Sequence, residues 1–330
     1  MYHSLLSRLQ GAFLGAVVGE QLGASYAQAL QRQAWPQGDR WQLRLDLTEW
    51  RQNRWLEIAW LGVESLIQRG GFDGHHWQQQ IERDFPTDPT QAGFPDCSEV
   101  AVATFPLGLF YHEDSRALTQ VLPEAAKLWS SAPEFQVAAL VMGQAIAQSL
   151  QESFNPETVI PKLATTLDAS QSTLKAQLLK VQTLLQQRAG IVQARDCLVQ
   201  PDTEASKVNF PLILALYCFL SQSASFQLSL VHAARLGYRP DITCALTGAL
   251  SGGRNATIGI PLIWQLALNQ TCYPPASADR SGENAATYLS ALAGNFLAAW
   301  SGIHNPERLS TKLGSMTAIA APDTIRLLQR

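Results

Sequence analysis

Apolar and small residues recur at helical spacing through most of the chain. No run alternates with the period of two that a half-buried strand requires. From residue 5 to 22, Leu5, Leu9, Ala12, Phe13, Ala16 and Val17 mark one helical face, and Gly11, Gly15 and Gly19 form a close-packing edge on that helix. A second helix is predicted over about 47–68, with Leu56, Ala59, Trp60, Val63 and Ile67 as its buried stripe. The stretch Pro86–Cys97 is rich in Pro, Asp, Thr and Gly and reads as a loop, after which Asp96 or Ser98 caps the next helix. From Ala117 to about Leu185 amphipathic helices follow one another, with breaks at Ala132-Pro133 and Asn155-Pro156. Leu174, Leu178, Val181 and Leu185 predict a surface helix within Ser170–Arg188, and residues 189 to 207 read as a polar connection. Paired helices over Pro211–Leu220 and Phe226–Leu236 follow. The last helix is expected from about Ala285 to Trp300, with Leu289, Leu292, Ala293 and Phe296 inward, after a Pro/Ser/Gly-rich loop from Thr271 to Asn284.

The stretch from Leu236 to Gly252 organises the rest. Gly237 and Pro240 stop the preceding helix, Asp241 or Thr243 can cap the next, and Ala245, Gly248, Ala249 and Gly252 repeat at i, i+3, i+4 and i+7. That spacing makes a smooth face, so a neighbouring helix can approach closely and hold the turn rigid. A rigid turn carrying an acid suits a ligand. The architecture these patterns predict is all-α, a single compact domain of many orthogonally packed helices over residues 1–330.

Composition narrows the function classes. With 330 residues, 46% of them hydrophobic and 15% charged, the chain can bury a large core, and no linker divides it. A net charge of −3 gives no basic field for nucleic acid. The five cysteines are scattered, with no CxxC pair, which predicts reduced thiols and a cytoplasmic protein. The N-terminal apolar run lacks a positively charged leader, and no segment holds about 18 uninterrupted apolar residues, so no membrane span is expected.

Four motifs, in order along the chain, resemble the ADP-ribosylglycohydrolase family. The run from Arg8 through Gly11, Gly15, Gly19, Glu20 and Gly23 is similar to the family's Gly-x-x-x-Gly-x-x-x-Gly-Asp-Ala-x-Gly opening. Glu64–Asp73 and Pro106–Leu109 follow. Leu236–Gly252, running on to Ile260-Pro261, resembles the Leu-Gly-Gly-Asp-x-Asp-Thr turn and its Gly/Ala-rich helix. The resemblance implies the all-α fold and a pair of magnesium ions, held by an early Asp-Asp-Thr turn and by the late Asp-x-Asp-Thr turn.

At the metal positions this sequence departs from the pattern. The late turn reads Arg239-Pro240-Asp241-Ile242, so one carboxylate remains and a fixed positive charge stands where a hard cation would sit. The early turn falls near Asn53–Leu56, which has no acid; the alternative, Leu45-Asp46-Leu47-Thr48, keeps one acid of two and needs about two further helical turns before Glu64. The opening Asp becomes Glu20, and the family's Met-Arg becomes Val102-Ala103. The vestigial pocket is therefore Glu20, Asp46, Thr48, Arg239 and Asp241, with no metal ligand set and no catalytic residue assigned. Arg239 beside a helix N-terminus is a candidate phosphate site.

Six of the nine tryptophans lie between residues 35 and 77, interleaved with arginines in a Trp/Arg-rich segment over about 35–60. Trp50, Arg51 and Arg54 project away from the buried stripe, a composition suited to a protein interface, with a segment packed under a loop as the other reading. His75-His76 reads as a solvated pair in a turn, His304 as a turn residue, and Cys97 as a nucleophile only if its pKa were lowered. Three functions follow. The first is a binding protein that has lost the dinuclear site, a pseudoenzyme, taking an unknown protein partner or an ADP-ribose-like ligand without a cofactor. The second is a hydrolase that removes ADP-ribose from a protein side chain, with magnesium. The third is a structural, crystallin-like role.

Overall fold

Prolines, glycines and capping residues divide the chain much as the pattern predicts. The computed structural model describes residues 3–31, 54–85, 96–167, 172–199, 209–236, 238–270 and 284–303. Among them are fourteen helices and no β-strand. The first seven are α1 (Leu5–Gln31), α2 (Arg54–Arg69), α3 (Gly74–Asp84), α4 (Cys97–Phe110), α5 (Ser115–Ala126), α6 (Pro133–Ser149) and α7 (Pro156–Thr165). The rest are α8 (Ser172–Gln186), α9 (Ile191–Leu198), α10 (Phe210–Ser221), α11 (Phe226–Leu236), α12 (Pro240–Gly259), α13 (Leu262–Asn269) and α14 (Ala285–Trp300). The architecture is all-α, as expected.

The small-residue edges of α1 and α12 meet each other. Gly11 lies against Gly252 and Ala256, Gly15 against Gly248, Gly19 against Cys244, and Gly23 against Pro240, so the two helices run antiparallel in backbone contact over about three turns. A Cβ on Gly15 would collide with the Gly248 carbonyl, and one on Gly248 with that of Gly15. Only glycine permits this approach. The other side of α1 is packed with rings: Phe13 meets Trp60 of α2 at 5.1 Å and Phe296 of α14 at 5.5 Å, edge to face. The buried side chains from α1 to α14 join in one hydrophobic cluster.

Three local expectations are revised. Part of the stretch read as a polar connection is helical, α9, whose Ala194 and Leu198 are buried at i, i+4 after an extended Gly190. The stripe of α2 is wider than the predicted one: Trp55, Ile58, Leu61 and Leu66 are buried too, while Ile67 is half-buried. Finally, neither Asp241 nor Thr243 caps α12. Its N-cap is Arg239, with backbone at φ 38°, ψ 62°, followed by Pro240 at N1, whose missing N–H costs nothing there. The Thr243 hydroxyl donates instead to the Tyr238 carbonyl at 2.9 Å.

Candidate functional site

The site lies where the glycine seam ends. Gly23 of α1 packs against the backbone of Pro240 and Asp241, so the first turn of α12 is held directly on α1. Across from it, α4 begins with a complete capping box. Asp96 Oδ1 accepts the backbone N–H groups of Ser98 and Glu99, both at 2.9 Å, and Glu99 Oε2 accepts the Asp96 N–H at 2.8 Å. Each of these acids spends one oxygen on the cap and turns the other toward Arg239. The guanidinium donates from Nη1 to Asp96 Oδ2 at 2.5 Å and from Nη2 to Glu99 Oε1 at 2.8 Å, while Asp241 Oδ2 stands 3.8 Å from Nη2. One arginine thus ties the N-termini of α4 and α12 together across 140 residues or more of sequence.

The electrostatics follow from that geometry. Burial works against the charge on Arg239, but the carboxylates of Asp96, Glu99 and Asp241 outweigh it and hold the guanidinium above its ordinary value. Three formal negative charges around one positive charge leave the turn acidic, so it repels a phosphate. The phosphate reading of Arg239 is therefore withdrawn. A magnesium ion does not fit the guanidinium's place either: Asp96 and Glu99 are already hydrogen-bonded to Arg239, and that fixed positive charge, 3.8 Å from Asp241, repels a cation. Among the described residues no group of three or more His, Cys, Asp or Glu side chains is placed to hold a metal.

Of the residues expected in the pocket, the structure brings Arg239 and Asp241 together. Glu20 is buried, and the Gln21 amide donates to its Oε2 at 3.4 Å. It lies on α1 about one helical turn before Gly23, and hence near the start of α12. Asp46, Thr48, Trp50 and Arg51 lie outside the described residues, as does His304. Arg54 is half-buried, its guanidinium 5.0 Å from the centre of the Phe85 ring, a cation–π contact within the chain. Sequence reasoning missed Asp96 and Glu99 as partners of Arg239. The Asp-x-x-Glu spacing of the box was the available signal, but it announces a cap and not a distant arginine.

Other candidates resolve into structure. Burial, with the Asp96 and Glu134 charges adding to it, pushes the Cys97 thiol up to about 12, the opposite of what a nucleophile needs. His75 is exposed, as the solvated reading expects, but His76 is half-buried and the pair is helical, not in a turn. They sit in the first turn of α3, capped by Asp73, and His76 Nδ1 is 2.8 Å from the buried Ser65 hydroxyl. Burial, followed by the Arg69 charge, lowers the His76 pKa. On α2, burial pushes Glu57 up to about 7 against the pull of Arg54. No helix among the described residues is long and apolar enough to cross a membrane.

Comparison with known proteins agrees with the motif order. No curated protein matches the chain by sequence. A solved structure titled "ADP-ribosylglycohydrolase-related protein complex" is similar over 89% of this chain and 98% of its own, with a TM-score of 0.62 at 19% identity, a likeness of fold. The family model described as ADP-ribosylglycohydrolase matches residues 1–302, which covers both helices of the glycine seam, the capping box of α4 and the turn at Arg239. The chain belongs to the ADP-ribosylglycohydrolase family.

Proposed function

We propose that this chain is a single ADP-ribosylglycohydrolase-like domain that works by binding a protein partner, its late metal turn converted into a structural ion-pair latch. The observation that carries the reading is the guanidinium of Arg239 held between Asp96 and Glu99, in the turn where the family's resemblance implies a cation. Hydrolysis by the family's route asks a metal to orient the ribose and activate water. At this turn Asp96 and Glu99 are hydrogen-bonded to Arg239, and the guanidinium's fixed charge stands beside Asp241. The acidic balance of the turn also weighs against an anionic ligand there, which favours a protein partner over a nucleotide-like one.

Calorimetric titration with ADP-ribose, with and without millimolar magnesium, tests the reading, together with an assay for release of ADP-ribose from an ADP-ribosylated arginine substrate. The expected result is no magnesium-dependent heat and no turnover. Magnesium-dependent release would overturn it in favour of the hydrolase, with Glu20, Asp46 and Asp241 as the acids to mutate next.

A further inference from the structure

At its far end α12 breaks, and the break exposes an apolar face. Ala256 has φ 56° and ψ −173°, a region of backbone space that is close to glycine-only. After the break the chain passes through Ile260-Pro261 into α13. Trp264 and Leu268 point inward from that short helix and are buried. On the opposite side Leu262 is 69% exposed, Ile263 66% and Leu266 49%, and Ile258 just before the helix is 73% exposed. A helix that is apolar all round belongs in an interior. Here half of that interior is solvent, and contiguous exposed apolar faces of this sort mark association sites. Beside the face lies a cleft of about 530 Å³, walled by Phe226 and the turn before α11 on one side and by Asn255, Ile258 and Gln265 on the other.

We propose that this face is a two-fold interface with a second copy of the same chain. Among the described residues the face carries no charge: the sequence has no charged residue between Arg254 and Asp279, nor from Val208 to Val231, and every described residue lining the cleft is apolar or neutral. An isologous contact sets each patch against its own copy, so any charge on it would meet a like charge near the axis. An uncharged face has no such penalty. Of the three amide side chains that line the cleft, Gln227 is exposed, and Asn255 and Gln265 already donate within the chain. Asn255 Nδ2 donates to the Ser223 and Ser251 carbonyls at 3.1 and 2.9 Å, and Gln265 Nε2 to those of Thr257 and Ile260 at 3.1 and 2.8 Å. Drying the face strands neither of these two donors. Leu262 and Ile263 of one copy are the knobs, and the cleft beside Phe226 of the other is the hole. The inference does not depend on what the turn at Arg239 does.

The test is sedimentation velocity on the full chain at about 50 μM, well above a micromolar Kd. Wild type is expected to sediment at twice its 36.1 kDa monomer mass. The double variant Leu262→Glu/Ile263→Glu is expected at monomer mass, with unchanged circular dichroism because both side chains are exposed in the single chain. Leu179→Glu, an equally drastic change at an exposed leucine of α8 outside the face, is expected to remain dimeric. A monomeric wild type at that concentration overturns the proposal and leaves the face to a different protein. So does a dimer that survives the double variant, or one that Leu179→Glu dissociates to the same extent.

Discussion

The two ends of α12 are both held by a non-glycine residue at positive φ, and they are held by different forces. At the N-terminal end Arg239 adopts a left-handed conformation with its side chain about one third exposed, and two charge-assisted hydrogen bonds to α4 offset the backbone cost. At the C-terminal end Ala256 occupies a costlier region, fully buried, with a methyl group that can form no such bond and its backbone pressed on Gly11. The first end responds to charge and solvent. The second responds only to shape. Between them runs the glycine seam, which fixes how far apart the ends can be.

The largest effect is expected from the seam itself. Gly248→Val places two methyl groups into the backbone of Gly15 and Ala16, which are helical backbone atoms and cannot move aside as a flexible side chain could. Overpacking on this scale should cost about 3 kcal/mol or more and take both ends with it. Chemical denaturation should show a large loss of stability, or no folded protein at all. A variant near wild-type stability would mean that α1 and α12 are not in backbone contact.

The two edges of that seam were legible in the sequence, because Gly11, Gly15 and Gly19 and then Ala245, Gly248, Ala249 and Gly252 each carry a helical period suited to close packing, but which helix meets which was not. Some helix limits were legible for the same reason: Phe226–Leu236 and Ala285–Trp300 have in the structure the limits read from the sequence, whereas α1 runs on past residue 22 to Gln31 and Gly74–Asp84 was read as a turn. The latch was not. Arg239 could be seen to conflict with a cation, but its two acids lie more than a hundred residues earlier, and nothing local distinguishes a capping acid with a spare oxygen from one without. Ala256 was invisible too, since an alanine in a helical run carries no sign of a break. Periodicity reports faces; it does not report which distant side chains share a charge.

The next effect separates the latch from the cap that shares its atoms. In Asp96→Asn/Glu99→Gln the capping box can persist, because Asn caps as well as Asp and Gln can replace Glu in the box, while the ion pairs are lost. Arg239→Ala removes the same pairs from the other side. Each change should cost about 1–2 kcal/mol, charge-assisted hydrogen bonds discounted for partial exposure. The combined variant should cost much less than the sum of the two, because both remove one interaction. Added salt should shrink the coupling. Full additivity in urea denaturation would show that Arg239 does not join α4 to α12.

A pH-dependent effect belongs to α2 and must be kept apart from the latch. Burial raises the Glu57 pKa in the folded chain from 4.5 to about 7, so the fold favours its protonated form. Its contribution is complete below the unfolded value and is lost as pH rises through the folded one. Glu57→Gln keeps the neutral form at every pH. It should melt above wild type at about pH 8 and level with it near pH 4. Equal melting temperatures at both values would remove Glu57 as the source.

The smallest change tests the shape-held end. Ala256→Gly removes a side chain from a conformation that glycine adopts freely, relieving about 1–3 kcal/mol of strain. Against this stands the greater backbone freedom of glycine in the unfolded chain, about 0.5–1 kcal/mol. The net expectation is a gain of about 0–2.5 kcal/mol, read as a rise in denaturation midpoint with no change in slope. Salt should leave this gain untouched, in contrast to the latch. A loss of stability would mean that the Ala256 methyl group contributes more by packing than its backbone costs, which would make the break in α12 a consequence of good packing and not a strained feature maintained to present Ile258 and α13 at the surface.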